Sequence, residues 1–314
     1  SSLISGGTGR YAPGGIGTLV FVDQKSTADS SDDELWVKQG WRWEAVDGPF
    51  IFGGFTAYTN ATITGPDAAN AVFSFDSFAL LSGAVWSPNV HGATLTANVI
   101  SLSEESKILS GSQSLELHIS DTMTLADEAQ IDSGTLAVTG TSETTLNGRS
   151  NISTNMLDWS GTSLEINLDA SVDVNGGNSG ETTGIGTSRS SNVSGNGGNH
   201  GGMGSRGFSS ADNTNSYYGS ALNPVTAGSN GGSTQAGVGG VGGGIIRIQL
   251  SDTLTLRGVI SSNGTAGGNG YNSRGGGGGA GGSIWVTTET LSGEGRFEAL
   301  GGMGGGNSNY RAGG

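Results

Sequence analysis

Aliphatic residues return along this chain at a nearly constant interval. Ile63, Val85, Ile108, Ile131, Ile152 and Val172 form one column, with steps of 22, 23, 23, 21 and 20 residues. Ile51, Phe73, Leu95, Leu115, Leu136 and Leu157 form a second, with steps of 22, 22, 20, 21 and 21. Between these anchors the local rule is alternation: Leu115, Leu117 and Ile119 face one way, Glu116 and His118 the other, which is the period of a half-buried strand. Turns fall at Ser110-Gly111, Asp132-Ser133-Gly134 and Asn147-Gly148. A unit of two or three such strands cannot bury its own inner face, so successive units must stack. A leucine-rich repeat would need a helix or an asparagine ladder at a fixed offset, and the Ser/Thr/Gly-rich connections offer neither. The pattern predicts an all-β chain: a right-handed parallel β-helix solenoid with coils of about 20–23 residues, each advancing by about 4.8 Å.

After residue 175 the same rule continues with long excursions. Leu254-Thr255-Leu256-Arg257-Gly258-Val259-Ile260 aligns with Leu291-Ser292-Gly293-Glu294-Gly295-Arg296-Phe297 at a step of 37, and Asn263-Gly264 falls on Leu300-Gly301. Val172-Asp173-Val174-Asn175-Gly176-Gly177 occupies the same place one coil earlier, so residues 176–244 form the largest excursion. Only 18 of the 61 glycines precede residue 176. The chain therefore divides into residues 1–175, compact coils with short turns (1–18 being a partial coil and glycine loop), and residues 176–314, coils with glycine-rich loops leaving one edge, in one continuous solenoid. Such loops are either solvated or packed side by side as polyproline-II-like segments whose amides pair between neighbours.

The two ends echo this pattern. Leu3-Ile4-Ser5-Gly6-Gly7 resembles Val259-Ile260-Ser261-Ser262-Asn263, and the chain stops at Tyr310-Arg311-Ala312-Gly313-Gly314, where the next strand is due. This reads as a piece of a longer array, or as a coil completed by another copy. Leu3, Ile4, Phe297, Tyr310 and Arg311 are the candidate assembly ends.

Composition narrows the chemistry. Cysteine is absent and three histidines remain, so disulfides and thiolate metal sites are excluded. There is no apolar run of membrane-spanning length, and the start at Ser1 reads as a processed product or fragment. The net charge of −14 is concentrated before residue 176, with 21 acidic and 6 basic groups there against 6 and 7 after it. That field repels phosphate backbones and argues against nucleic acid as a partner.

Polysaccharide-cleaving β-helices need clustered acids and bases on neighbouring coils. The sequence register sets His118 beside Asn98 and Thr139, and Glu116 beside Thr96, Ala137 and then Asp158, without a carboxylate pair; Arg257 faces Glu294 as a ladder ion pair. Asp32-Asp33-Glu34 reads as a solvated turn more readily than a calcium site. No catalytic, metal or cofactor-binding residue is assigned. Trp36, Trp41 and Trp43, with Phe50, Phe52, Phe55 and Tyr58, form either an aromatic contact surface for glycan or protein, or a widened core or cap for the early coils.

Gly281-Gly282-Ser283-Ile284-Trp285-Val286-Thr287-Thr288-Glu289-Thr290-Leu291-Ser292-Gly293-Glu294-Gly295, followed by Ala299-Leu300-Gly301-Gly302, resembles the repeat of large secreted glycine-rich parallel β-helix proteins. More broadly the chain is similar to filamentous-haemagglutinin-like and autotransporter-passenger adhesins. The resemblance implies an extracellular or cell-surface, non-enzymatic structural role, and it carries over no catalytic residue. The expected partners are copies joined head to tail or neighbouring repeats, with surface glycans as a further class. The alternatives are a polysaccharide-binding or -degrading module, or a phage-type receptor-binding tip whose loops near Tyr217, Tyr218 and Tyr310 contact the receptor.

Overall fold

The alternating pattern folds into strands throughout. In a computed structural model that describes residues 20–23, 33–43, 50–66, 69–88, 92–178, 194–207, 217–270 and 274–306, the chain is all-β, with no helix among the described residues. The 19 strands among the described residues are linked into a parallel β-solenoid. Long strands such as β10 (Ser114–Leu125), β11 (Gln130–Leu146) and β12 (Asn151–Ile166) turn corners, while three-residue strands such as β5 (Thr62–Thr64), β9 (Lys107–Leu109) and β13 (Ser171–Asp173) complete the coils. One strand departs from this rule: β1 (Val20–Asp23) runs antiparallel along the outer edge of β2 (Glu34–Val37).

Like residues stack on like along the axis. One inward stack runs Ile63, Trp86, Ile108, Ile131, Ile152, Val172 and Ile260, ending on Phe297. Trp86, not Val85, fills the second position. The other runs Phe50, Phe73, Leu95, Leu117, Val138, Trp159, Ile248 and Val286. Ile51 instead faces outward at 41% exposure, and Leu115 belongs to the adjacent stack of Ala93, Leu136, Leu157, Ile246 and Ile284. The corrections share one cause. A choice one residue off turns a strand over, and one two residues off moves to the neighbouring stack; Phe50-Ile51 and Val85-Trp86 are adjacent apolar pairs and Leu115 and Leu117 share one face of a strand, so the repeat length fits either member.

A third column is set by the corners. In the turns closed by Ala61, Ala84, Ser106, Ala129, Ser150 and Ala170, the amide of that residue donates to the carbonyl three residues earlier, at 3.0–3.2 Å. In the first five of these turns both residues between have positive φ, for example Glu104 (55°) with Glu105 (62°) and Asp127 (51°) with Glu128 (66°); in the sixth only Asp169 (67°) does. Two successive left-handed residues define a type I′ turn. The closing residue is fully buried each time, and it is small because the inside of the corner has no room.

The described parts of the glycine-rich excursions pack against one another. Segment 226–234 meets 236–244 through Gly228→Gly243, Gly231→Gly240 and Thr234→Gly237 amide-to-carbonyl bonds, all 2.8 Å. Segment 236–244 meets 274–282 through Gly240→Gly277 and Gly243→Ala280 bonds. The spacing is three residues on both partners. A β-strand would repeat every second residue; a repeat of three is that of polyproline II. An added Cβ would lie 1.9 Å from the Asn196 carbonyl oxygen at Gly277 and 2.1 Å from that of Val241 at Gly279, which is why these segments are glycine.

Candidate interaction surface

The two ends of the solenoid differ. Near the first described coils, Trp43 is only 2% exposed and packs its ring 4.8 Å from Phe50 and 5.7 Å from Phe73. It is core and unavailable as a contact platform. Trp41 is partly buried on the same cluster, in line with Ile63, and half-buried Trp36 lies on the opposite face of its strand from inward Leu35 and Val37. The three tryptophans therefore form no continuous surface. Trp43, with Trp41 packed against it, fills a wide early core together with Phe55, Phe73 and Phe78.

At the other end, β17 (Ser283–Thr287), β18 (Thr290–Ser292) and β19 (Arg296–Glu298) form the last coil. Ile284, Val286, Leu291 and Phe297 continue the stacks above Ile246, Ile248, Leu254 and Ile260, all fully buried. Leu291 and Phe297 are nevertheless 58% and 42% exposed, because no further coil covers them among the described residues. Of the other candidate assembly residues, Leu3, Ile4, Tyr310 and Arg311 lie outside the described residues.

Beside this coil a cavity of about 580 Å³ opens against the glycine bundle, lined by Tyr217, Tyr218, Pro224, Ile284, Phe297 and Glu298 among others. Its polar groups are largely engaged. His200 Nδ1 lies 2.9 Å from the Gly281 carbonyl, which can only accept, so Nδ1 carries the proton; Nε2 then accepts from Thr226 Oγ1 at 3.0 Å. The Tyr218 hydroxyl donates to the Ala227 carbonyl at 2.5 Å. Tyr217 is 65% exposed. The Arg296 guanidinium donating to Glu298, helped by Asn263, holds that carboxyl below its ordinary value.

The outward ladder residues sit slightly differently from the sequence register. His118 is flanked by Thr96 and Thr139, and its Nδ1 lies 2.7 Å from Thr139 Oγ1; Asn98 instead bonds Ser120 and Asp76. Glu116 has Thr94, Ala137 and then Asp158 in register, and its carboxylate is 3.5 Å from His118 Nε2. Arg257 reaches back one coil to Glu165 and Asn167 rather than forward to Glu294. Asp33 is buried, and Asp32 lies outside the described residues. Among the described residues no cluster of His, Asp and Glu is arranged to hold a metal, and no helix is long and apolar enough to cross a membrane.

Comparison with protein-family models, curated proteins and solved structures finds no match to this chain. The arrangement is thus read from its own residues. Sequence reasoning missed the antiparallel β1 and the cavity at Tyr217. The first had a weak signal in Val20-Phe21-Val22; the second is made by segments far apart in the chain.

Proposed function

We propose that this chain is a non-enzymatic structural or adhesive β-solenoid acting outside the cell, and that its last coil joins the next copy in a head-to-tail filament. The observation that carries this reading is at the last described coil: Leu291 and Phe297 occupy inward register positions yet stand open to solvent among the described residues. A solenoid end with free strand edges and an apolar core is a template for further pairing. The junction differs from an internal step, since the first coil of the incoming copy presents antiparallel β1 on its edge. The acidic half of the chain keeps the rods apart laterally while their ends meet. The extracellular, adhesin-type setting rests on the resemblance of residues 281–302 to secreted β-helix repeats.

Sedimentation velocity over a hundredfold concentration range, with electron microscopy, tests this. The intact chain is expected to form elongated oligomers, and a Leu291→Asp/Phe297→Asp variant to remain monomeric. A wild-type chain that stays monomeric at the highest concentration would falsify the filament. Saccharide binding is a second reading, favoured by exposed Tyr217 over the 580 Å³ cavity. It predicts glycan-array signals that disappear in Tyr217→Ala.

A further inference from the structure

Segment 274–282 lies at the centre of the glycine bundle. The amides of Gly276, Gly279 and Gly282 donate to Gly268, Thr265 and Ser262, and those of Gly277 and Ala280 to Gly232 and Ser229. The carbonyls of Gly275 and Gly278 accept from Gly195 and Gly198, those of Gly276 and Gly279 from Gly305 and Gly302, and those of Gly277 and Ala280 from Gly240 and Gly243. Segments 194–199, 226–234, 236–244, 262–270 and 300–306 therefore surround it. The N–H groups of Gly275, Gly278 and Gly281 have no acceptor among the described residues. They too recur every third residue, so they share one direction.

That direction follows from the peptide plane. In a trans peptide an N–H points opposite to the carbonyl that precedes it. The Gly277 and Ala280 carbonyls point at 236–244. The Gly278 and Gly281 amides must therefore point the other way, between 194–204 and 300–306. A groove of about 370 Å³ runs there, lined by Gly198, Gly201, Gly202, Gly281, Ala299 and Gly301 among others. It is continuous with the Tyr217 cavity, since His200, Gly201, Gly282 and Ala299 border both. Its lining is mostly glycine backbone, joined by the side chains of His200 and exposed Met203, and its floor presents unused donors at the polyproline-II repeat.

We infer that this groove is a docking slot for a sixth glycine-rich polyproline-II strand, and that its occupant is segment 5–17 of a second copy. That sequence, Ser5-Gly6-Gly7-Thr8-Gly9-Arg10-Tyr11-Ala12-Pro13-Gly14-Gly15-Ile16-Gly17, has small residues at every third position, Gly6, Gly9, Ala12 and Gly15. Small residues at that interval permit close backbone approach, and Pro13 has a φ already fixed for polyproline II. The strand enters from a second copy because Val20–Asp23 and Ser283–Thr287 lie at opposite ends of the strand stack. This inference rests on the head-to-tail reading and gives that junction its second contact.

The test is fluorescence anisotropy of a labelled peptide of residues 5–17 titrated with the intact chain. Saturable binding is expected, weakened at least tenfold by Gly201→Leu combined with Gly301→Leu. A Cβ at Gly201 meets nothing within 4 Å and one at Gly301 meets its nearest atom at 3.7 Å, so these changes fill the groove without disturbing the fold. Circular dichroism of the variant verifies that point. A peptide that fails to bind, that binds the filled variant equally, or that is matched by a scrambled sequence overturns the slot. If the chain still self-associates through Leu291 and Phe297 while the peptide fails, the slot is wrong and the scaffold reading stands. Peptide binding by a chain that never associates overturns the second copy as the source.

Discussion

At the scale of single residues, the corners hold the least comfortable conformations. Glu104, Glu105, Asp127 and Glu128 all adopt positive φ on neighbouring coils, where a left-handed non-glycine residue costs about 1 kcal/mol or more. Their carboxylates also crowd one edge, relieved by Arg149, which pairs with Glu128. Replacing Glu104→Asn and Glu105→Gly together supplies the residues a type I′ turn prefers. It is expected to raise stability by about 1–2 kcal/mol in denaturant unfolding. Glu298 carries a pH signature of opposite kind. Its carboxyl is held below the ordinary 4.5 by Arg296 and then Asn263. A depressed acid stabilises the folded state above its unfolded pKa and loses that contribution as pH falls through the folded one. The last coil should therefore weaken below about pH 4.5, and Glu298→Gln should remove this part of the acid sensitivity, read by near-ultraviolet dichroism of Trp285 on β17 of the same coil. The effect is small, because the pair is partly solvated.

At the scale of elements, the coils and the glycine bundle are held by different forces. Coils bury aliphatic and aromatic stacks, whose contribution follows the apolar area removed from water. The bundle has almost no side chains to bury, and its order comes from amide–carbonyl bonds at close backbone approach. Amide exchange should separate the two. Gly276, Gly277, Gly279 and Ala280 are expected to be protected, while Gly278 and Gly281, which lack acceptors among the described residues, exchange fast. Gly277→Ala places a Cβ against the Asn196 carbonyl and should abolish protection across 274–282 while leaving β10 to β12 protected. Unchanged protection in that variant would show that close packing is not what orders the bundle.

At the scale of the whole molecule, the described coils are edged at one end by antiparallel β1 and stop at the other on core that no described residue covers. If copies meet there, the unfolding temperature of the intact chain should rise with protein concentration, and that of Leu291→Asp/Phe297→Asp should not, because association stabilises by mass action. The repeat length, the parallel stacking and the 37-residue step were legible in the sequence, because a solenoid repeats its environment at each turn and like positions keep like residues. So was the shared departure point of the glycine loops at Asn175 and Asn263, now linked by a hydrogen bond from the Asn263 amide to the Asn175 side chain. Facing was not legible at Ile51 and Val85, which point outward of their stacks, since spacing alone does not reveal which of two adjacent apolar residues, Phe50 or Ile51, Val85 or Trp86, turns inward. Trp43 as core, β1 as an antiparallel edge and the sixth direction around 274–282, unfilled among the described residues, depended on the folded chain. Each arises where segments distant in sequence meet, and there the direction of a single peptide group or ring, invisible in a residue pattern, decides what is covered and what stays open.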